Sequence, residues 1–329
     1  MSDPAPLTRR SLTAVVALVA TCGLFGWSAP GADATFPGPN GNIVFGLGRS
    51  NGGGESDQSC SSPTCEDFRL VALNPGTRRT AVLATSCQAR ECHDIGPAVD
   101  RLGARILFER DTFPLDRPAE AAFGLAKADG SDLQLISEAG RGAAWAPDGR
   151  HFVYSRAPGG SAGEQLYIYD LEQGSFRQLT REGGYDADWS STDRIVFTRQ
   201  GKRPGGGPSA KKDLYTISPS GGRAKRVTRT GSADFASWSP HGSQIAYVDS
   251  SGRFGAVAVI RANGGHPRRL VRSDAMPQWS PDRKRIALAL GTSIWIVNRD
   301  GTGSKRLYTA RDTGNHFPIG RLSWSRRRR

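Results

Sequence analysis

Eight residues sit where chemistry would collect if the chain closes on itself: Asp94, Arg141, Tyr185, Asp186, Asp188, Asp234, Asp274 and His316 each lie one to eight residues ahead of a recurring anchor. Acids predominate. Carboxylates gathered at one mouth suit a divalent cation such as Ca2+, or the Lys, Arg or amino terminus of a peptide. The plainer role for any one of these aspartates is to accept backbone N–H bonds at a turn. His93 and His316 with Asp94 form the one constellation with the elements of metal-assisted hydrolysis or a lyase reaction, although the five histidines show no ligand spacing such as His-x-x-x-His. Gly159-Gly-Ser-Ala-Gly163 has the form of a nucleophile elbow, but it follows Pro158 in a loop and no helix follows it. Walker and dinucleotide-binding loops are missing from the sequence. The expectation is that no residue is catalytic and no cofactor is required.

The anchors are what position these residues. Trp145-Ala-Pro-Asp-Gly, Trp189-Ser-Ser-Thr-Asp, Trp238-Ser-Pro-His-Gly and Trp279-Ser-Pro-Asp-Arg each precede an alternating apolar run. A degenerate copy begins at Val99, and another starts at Trp324. Anchors at 99, 145, 189, 238, 279 and 324 leave gaps of 46, 44, 49, 41 and 45 residues, the period of a four-stranded propeller blade. Pro39-Asn-Gly-Asn-Ile-Val-Phe45 supplies the turn and strand that the last copy lacks. A second pattern recurs once per copy at Phe68, Phe123, Gln165, Asp213, Ala256 and Ser293. The predicted fold is all-β, a six-bladed β-propeller closed by pairing of the C-terminal strand with N-terminal strands.

These residues resemble the TolB-type, WD-repeat-like propeller repeat of Trp-Ser-Pro-Asp-Gly, an apolar strand, a Leu-Tyr strand and an Asp-Gly turn. The resemblance covers nearly all the chain after residue 38, and it implies a fold far more than a function. TolB carries an α/β domain ahead of its propeller, whereas this sequence enters its first repeat within about ten residues of the expected mature start at Thr35. A stand-alone propeller is therefore expected, and a role in the Tol system is not carried over.

Strands A to D of a blade alternate in direction, so the A–B and C–D turns share one face and the B–C and D–A connections share the other. The B–C connections are the long ones, which marks their face for binding. Residues 199–212, with Lys202, Arg203, Lys211 and Lys212, read as a Gly-rich, mobile basic flap without strand structure. Cys60 and Cys65 fall in one B–C connection, and Cys87 and Cys92 in the adjoining D–A connection. Two local disulfides are the simplest pairing, with cross-pairs and a four-thiolate zinc site as the other arrangements. The Trp anchors should pack between blades with their indole N–H groups bonded locally.

Residues 1–34 read as an export signal, with Arg9 and Arg10 ahead of an uncharged run to Ala29 and Ala32-Asp-Ala34 as the cleavage site. An uncleaved membrane anchor is the competing form. Export to the periplasm, cell envelope or medium suits the paired cysteines. The net charge of +13 is uneven: residues 35–165 carry 13 Lys/Arg against 16 Asp/Glu, and residues 166–329 carry 29 against 13. The functional expectation is a non-catalytic binding module for a protein, a peptide or an anionic envelope polymer, with nucleic acid not expected as a partner. The alternative is a metal-assisted hydrolase or lyase acting on sugars or lactones at the channel mouth.

Overall fold

The computed structural model describes residues 40–50, 65–85, 92–112, 120–158, 163–202, 208–310 and 318–327. Among these every element is a strand, and no helix is long and apolar enough to cross a membrane. The expected export signal, Cys60, Cys87, Arg203 and His316 lie outside the described residues, as does the Cys65 side chain.

Strands fall in successive sets along the chain. The first is β1 (Asn40–Ser50), β2 (Cys65–Leu73) and β3 (Thr80–Val82); the second is β4 (Cys92–Val99), β5 (Arg105–Thr112), β6 (Glu120–Lys127) and β7 (Gln134–Ile136). The third comprises β8 (Arg141–Trp145), β9 (His151–Arg156), β10 (Gln165–Asp170) and β11 (Ser175–Gln178). The fourth comprises β12 (Tyr185–Trp189), β13 (Ile195–Lys202), β14 (Pro208–Ser218) and β15 (Gly221–Arg226). The fifth is β16 (Ala233–Trp238), β17 (Gln244–Asp249), β18 (Ala256–Arg261) and β19 (Arg268–Val271). The sixth is β20 (Met276–Trp279), β21 (Arg285–Leu290), β22 (Ser293–Asn298) and β23 (Lys305–Thr309), and β24 (Ser323–Arg326) ends the chain.

Sets three to six are separate four-stranded antiparallel sheets. The first two share one eight-stranded sheet, joined only by a single parallel bridge between Phe68 and His93. β24 completes the first set by pairing antiparallel with β1, Trp324 opposite Ile43. Head and tail therefore build one sheet, and the ring closes as the sequence predicts.

Packing shows why the sets form a ring rather than a row. Six buried apolar clusters each join one set to the next. In one, Ala144, Val153 and Ile168 of the third set meet Trp189, Ile195 and Phe197 of the fourth. In another, Ile296 and Leu307 of the sixth meet Ile43, Leu73 and Trp324 of the first. Each sheet presents one apolar face to either neighbour, so its central strands are hydrophobic on both sides. The Trp anchors lie inside these interfaces, all at most 4% exposed. Their N–H groups follow the expected local bonding at only one of the five anchors. Trp145 and Trp238 donate across the interface, to the carbonyls of Ala98 and Asp188 at 2.9 and 3.2 Å, and Trp189 donates locally to Asp193. Trp279 and Trp324 Nε1 have no hydrogen-bond partner among the described residues.

The turns repeat as regularly. Every A–B connection within sets two to six is five residues long (100–104, 146–150, 190–194, 239–243 and 280–284) and is closed by a pair of backbone bonds such as Ser239 N to Gln244 O and Gly242 N to Ser239 O, with the first bond one residue tighter in the fourth set, Ser190 N to Arg194 O. The C–D turns lock neighbouring blades together. Gly301, at φ +93°, lies so close to the preceding blade that a Cβ there would stand 2.7 Å from the Leu270 carbonyl. The Asp-Gly turn is needed for that contact as well as for the reversal.

Candidate functional site

The innermost strands bend where they line the channel. β4, β8, β12 and β16 each break register against their partners at one place, between Ile95 and Ala98, Arg141 and Ala144, Tyr185 and Asp188, and Asp234 and Ser237. Each break is a bulge with one left-handed residue, three positions ahead of the anchor: Gly96, Gly142, Asp186 and Phe235, at φ +58°, +61°, +48° and +50°. Glycine fits that conformation freely, and Asp tolerates it. Phe235 adopts it at a cost of about 1 kcal/mol.

The same register in the closing strand is Arg321, three residues ahead of Trp324. Its guanidinium reaches across the channel, donating to the Ala187 carbonyl at 2.6 Å and the Gly142 carbonyl at 3.3 Å in two other blades. A narrow cavity runs beside it, lined by Ala98, Ala144, Asp188, Gln278 and Ser323 of the inner strands. Three carboxylates face this one cation. Glu109, on β5, emerges beneath the bulge and accepts the Gly142 N–H at 2.8 Å. A Cβ at Gly96 would lie 2.4 Å from its Oε1, so the bulge makes the space for this acid.

Burial dominates the proton affinity of these groups. It pushes Glu109 up to about 7, against the opposing pull of the Gly142 N–H and of Arg141 and Arg321. Asp186 is pushed up to about 6, by burial first and then by repulsion from Asp234 and Glu164, with Arg321 and Lys212 opposing. Asp188 is raised by burial despite Arg321 and the Trp238 N–H that it accepts at 2.7 Å. Around neutral pH the channel can therefore hold or release a proton beside a fixed guanidinium.

The residues singled out by the sequence separate into two groups. Tyr185, Asp186 and Asp234 come together, with Lys212 and Glu164 close enough to act on their ionisation. Arg141 starts β8 with an exposed side chain and acts on Glu109 and Asp111. Asp94 is apart from them and is fully buried in a two-pronged ion pair with Arg110, both contacts at 2.7 Å, with the Thr85 hydroxyl as a further donor. Asp234 is likewise engaged, by Thr198 Oγ1 at 2.9 Å and by the Lys212 ammonium. Asp274 is exposed and packs over Gly255. Among the described residues no group of three His, Cys, Asp or Glu side chains is placed to hold a metal.

The basic flap is corrected by the structure. Lys202 ends β13, and Lys211 and Lys212 lie within β14, with Gln200 opposite Lys212 and Lys202 opposite Pro208. The ladder of the hairpin extends through the flanks of the segment because backbone pairing asks nothing of the side chains, and it tolerates one register shift on the way. Only 203–207 of that stretch falls outside the described residues. Sequence reasoning missed Glu109 and Arg321 altogether. The signal for Arg321 was its place in the repeat, in register with Gly142 and Asp186.

No protein-family model and no curated protein matches this sequence. Solved structures do. TolB from Acinetobacter baumannii superposes with a TM-score of 0.68 at 19% identity, over 89% of this chain and 68% of that one. A structure of the nidogen/laminin complex gives 0.62 at 11% identity, over 86% of this chain and 98% of that one. An oligogalacturonate lyase in complex with manganese gives 0.51 at 12%, over 68% of each chain. At such identities the likeness speaks for architecture alone, and with the closed ring of sheets it shows that this chain has a TolB-like β-propeller fold.

Proposed function

We propose that this chain is an exported, six-bladed propeller that binds a protein or peptide across the face from which the B–C and D–A connections emerge. One observation carries the reading. The acids that would have held a metal are engaged inside the protein, Asp94 by Arg110 and Asp234 by Lys212, while Arg321 crosses the channel and bonds to two blades. What this leaves toward solvent is a face with exposed Arg141, Asp274 and Lys211. Export is supported by the basic pair and uncharged run of the first 34 residues, and by Cys92, which is disulfide-bonded. Two neighbours in fold are in keeping with a protein-binding role, one being TolB and another a complex of nidogen with laminin.

A second reading, a propeller lyase or hydrolase, draws on Glu109. Its proton affinity near neutrality beside Arg321 is what a general acid or base in the channel would need, and one neighbour is a lyase.

Photo-crosslinking residues placed at Arg141 and at Asp274 should capture the same envelope protein, while one at Leu102, exposed on an A–B turn of the opposite face, should not. No protein adduct from either position, or equal capture from all three, would overturn the binding-face assignment.

A further inference from the structure

The outer strands carry a charge pattern that follows the ladder register. In the third to sixth sets, the strand C residue that pairs with Val153, Val196, Ala246 or Ala287, each just past the anchor's partner on strand B, has a cation opposite it on strand D in every case: Arg177 opposite Ile168, Lys225 opposite Thr216, Arg268 opposite Val259 and Lys305 opposite Ile296. In the first two sets the same position holds Ala81 and Gln134. All four cations are exposed, and none forms an ion pair with a carboxylate among the described residues, Asp300 alone lying near enough to Arg268 to feel its charge.

Their direction is fixed by the pleat. Cross-strand partners point to one side of a sheet, and Ile168, Val259 and Ile296 are buried against the next blade or packed in its interface. The four cations therefore stand at the outer opening of successive seams. Two of them show this directly, since Arg177 Nη2 bonds to the Pro219 carbonyl and Arg268 Nη2 to the Arg299 carbonyl, each in the C–D turn of the following blade. The neighbouring ladder position points the other way and is used internally, where Arg226 pairs with Asp213 and Arg269 with Asp249.

Carboxylates are scarce on this rim. Residues 221–272 contain nine Lys/Arg and two acids, Asp234 and Asp249, both of them buried and paired. At its two ends Glu172 pairs with Arg150, and Asp300 is bonded to Thr302. Cations on edge strands also guard against edge-to-edge aggregation, but that purpose asks neither for one register nor for the loss of acids from the surface between.

We propose that the outer rim of the third to sixth blades is a binding track for a flexible linear polyanion rich in phosphate or carboxylate groups. Four of six blades span well over half the circumference, and the track curves with the disc. A flexible chain can follow such a convex path, whereas a flat lipid surface meets only one side of it. The track is separate from the loop-rich face, so failure of either assignment leaves the other standing.

The test uses the full chain, linear polyphosphate as the probe, and affinity measured across a salt series. Variant K225Q/K305Q removes two cations whose side chains make no hydrogen bond among the described residues, and R78Q/R79Q removes two exposed cations from the first set as a charge-matched control. The rim variant should lower the slope of log affinity against log salt by about 0.7 per cation removed, the value for single-stranded polyanions. That amounts to roughly 25-fold weaker binding near 0.1 M salt, taking the electrostatic contribution as vanishing near 1 M. The control should match the wild type. Equal losses in the two variants, an unchanged slope in K225Q/K305Q, or aggregation of that variant with undiminished binding would each overturn the track. Vesicles of phosphatidylglycerol form the second arm: binding as tight as polyphosphate, lost with the same variant, would overturn the polymer in favour of a lipid surface.

Discussion

Replacing Glu109 by Gln removes a titrating group from the channel wall and keeps an amide oxygen able to accept the Gly142 N–H. Burial raises this carboxyl from its ordinary 4.5 to about 7. Above pH 7 the native state holds an ionised carboxylate that it disfavours, and below 4.5 the group is protonated in both states, so that cost disappears. Between those values the native chain binds more protons than the unfolded one, and Glu109 lowers stability as pH rises. A rise of this size corresponds to roughly 3 kcal/mol, and solvent reaching a carboxyl that is only partly buried brings the expected figure to about 1–3 kcal/mol. Denaturation of E109Q and wild type across pH 4–8.5 should give a stability difference near zero at pH 4.5 that climbs to a plateau favouring E109Q above pH 7. In melting experiments at pH 8 this is about 2–6 °C in Tm. Asp170 and Asp249, whose proton affinities are lowered by Arg150 and by Ser251 and Arg269, titrate below this window and cancel in the difference. A flat difference, or an E109Q protein less stable than wild type at pH 8, would refute the reasoning.

Arg110→Met should destabilise the protein by about 3–5 kcal/mol at pH 7, measured by urea denaturation, because it leaves the fully buried Asp94 carboxyl without its cation. The double variant Asp94→Asn with Arg110→Met should recover part of that loss. Trp238→Phe should cost about 1 kcal/mol more than Trp279→Phe by the same measurement, since only the first indole N–H has an acceptor to lose, the Asp188 carbonyl.

How much of this was legible in the sequence follows from what each inference needed. The ring needed only spacing: anchors every 41 to 49 residues place a Trp at the end of each inner strand, and the half-repeat at Asn40–Phe45 meets Trp324 in the expected sheet. The fate of the acids needed register, and spacing does not supply it. Asp94 and Asp234 lie in the same part of the repeat, yet one is held by Arg110 of its partner strand and the other by Lys212 of the preceding blade. Neither pairing can be read until the bulge at each inner strand is known, because the bulge decides which residue of the neighbouring strand lies opposite. Residues 199–212 failed for the reverse reason, since composition was weighed where a hairpin ladder, indifferent to side chains, was already running.

The channel joins these two lessons. Arg321 has the position that Gly142 and Asp186 hold in their own repeats, and there it is the cation that Glu109, Asp186 and Asp188 have in common. A repeat fold fixes the backbone once per repeat and thereby frees a single position to differ in each blade. In four inner strands that position is a left-handed bulge, and just ahead of the closing strand it is the arginine that donates to carbonyls at two of those bulges, Gly142 and Ala187. Those carbonyls are acceptors left without ladder partners by the bulges, so the guanidinium satisfies groups that would otherwise be buried and unbonded. The closing strand thus holds the ring twice, once at its perimeter by pairing with β1 and once across its centre through Arg321. Substrate or peptide entering the channel would have to replace the second of these contacts, which is the physical reason to look for the binding surface at the face rather than along the axis.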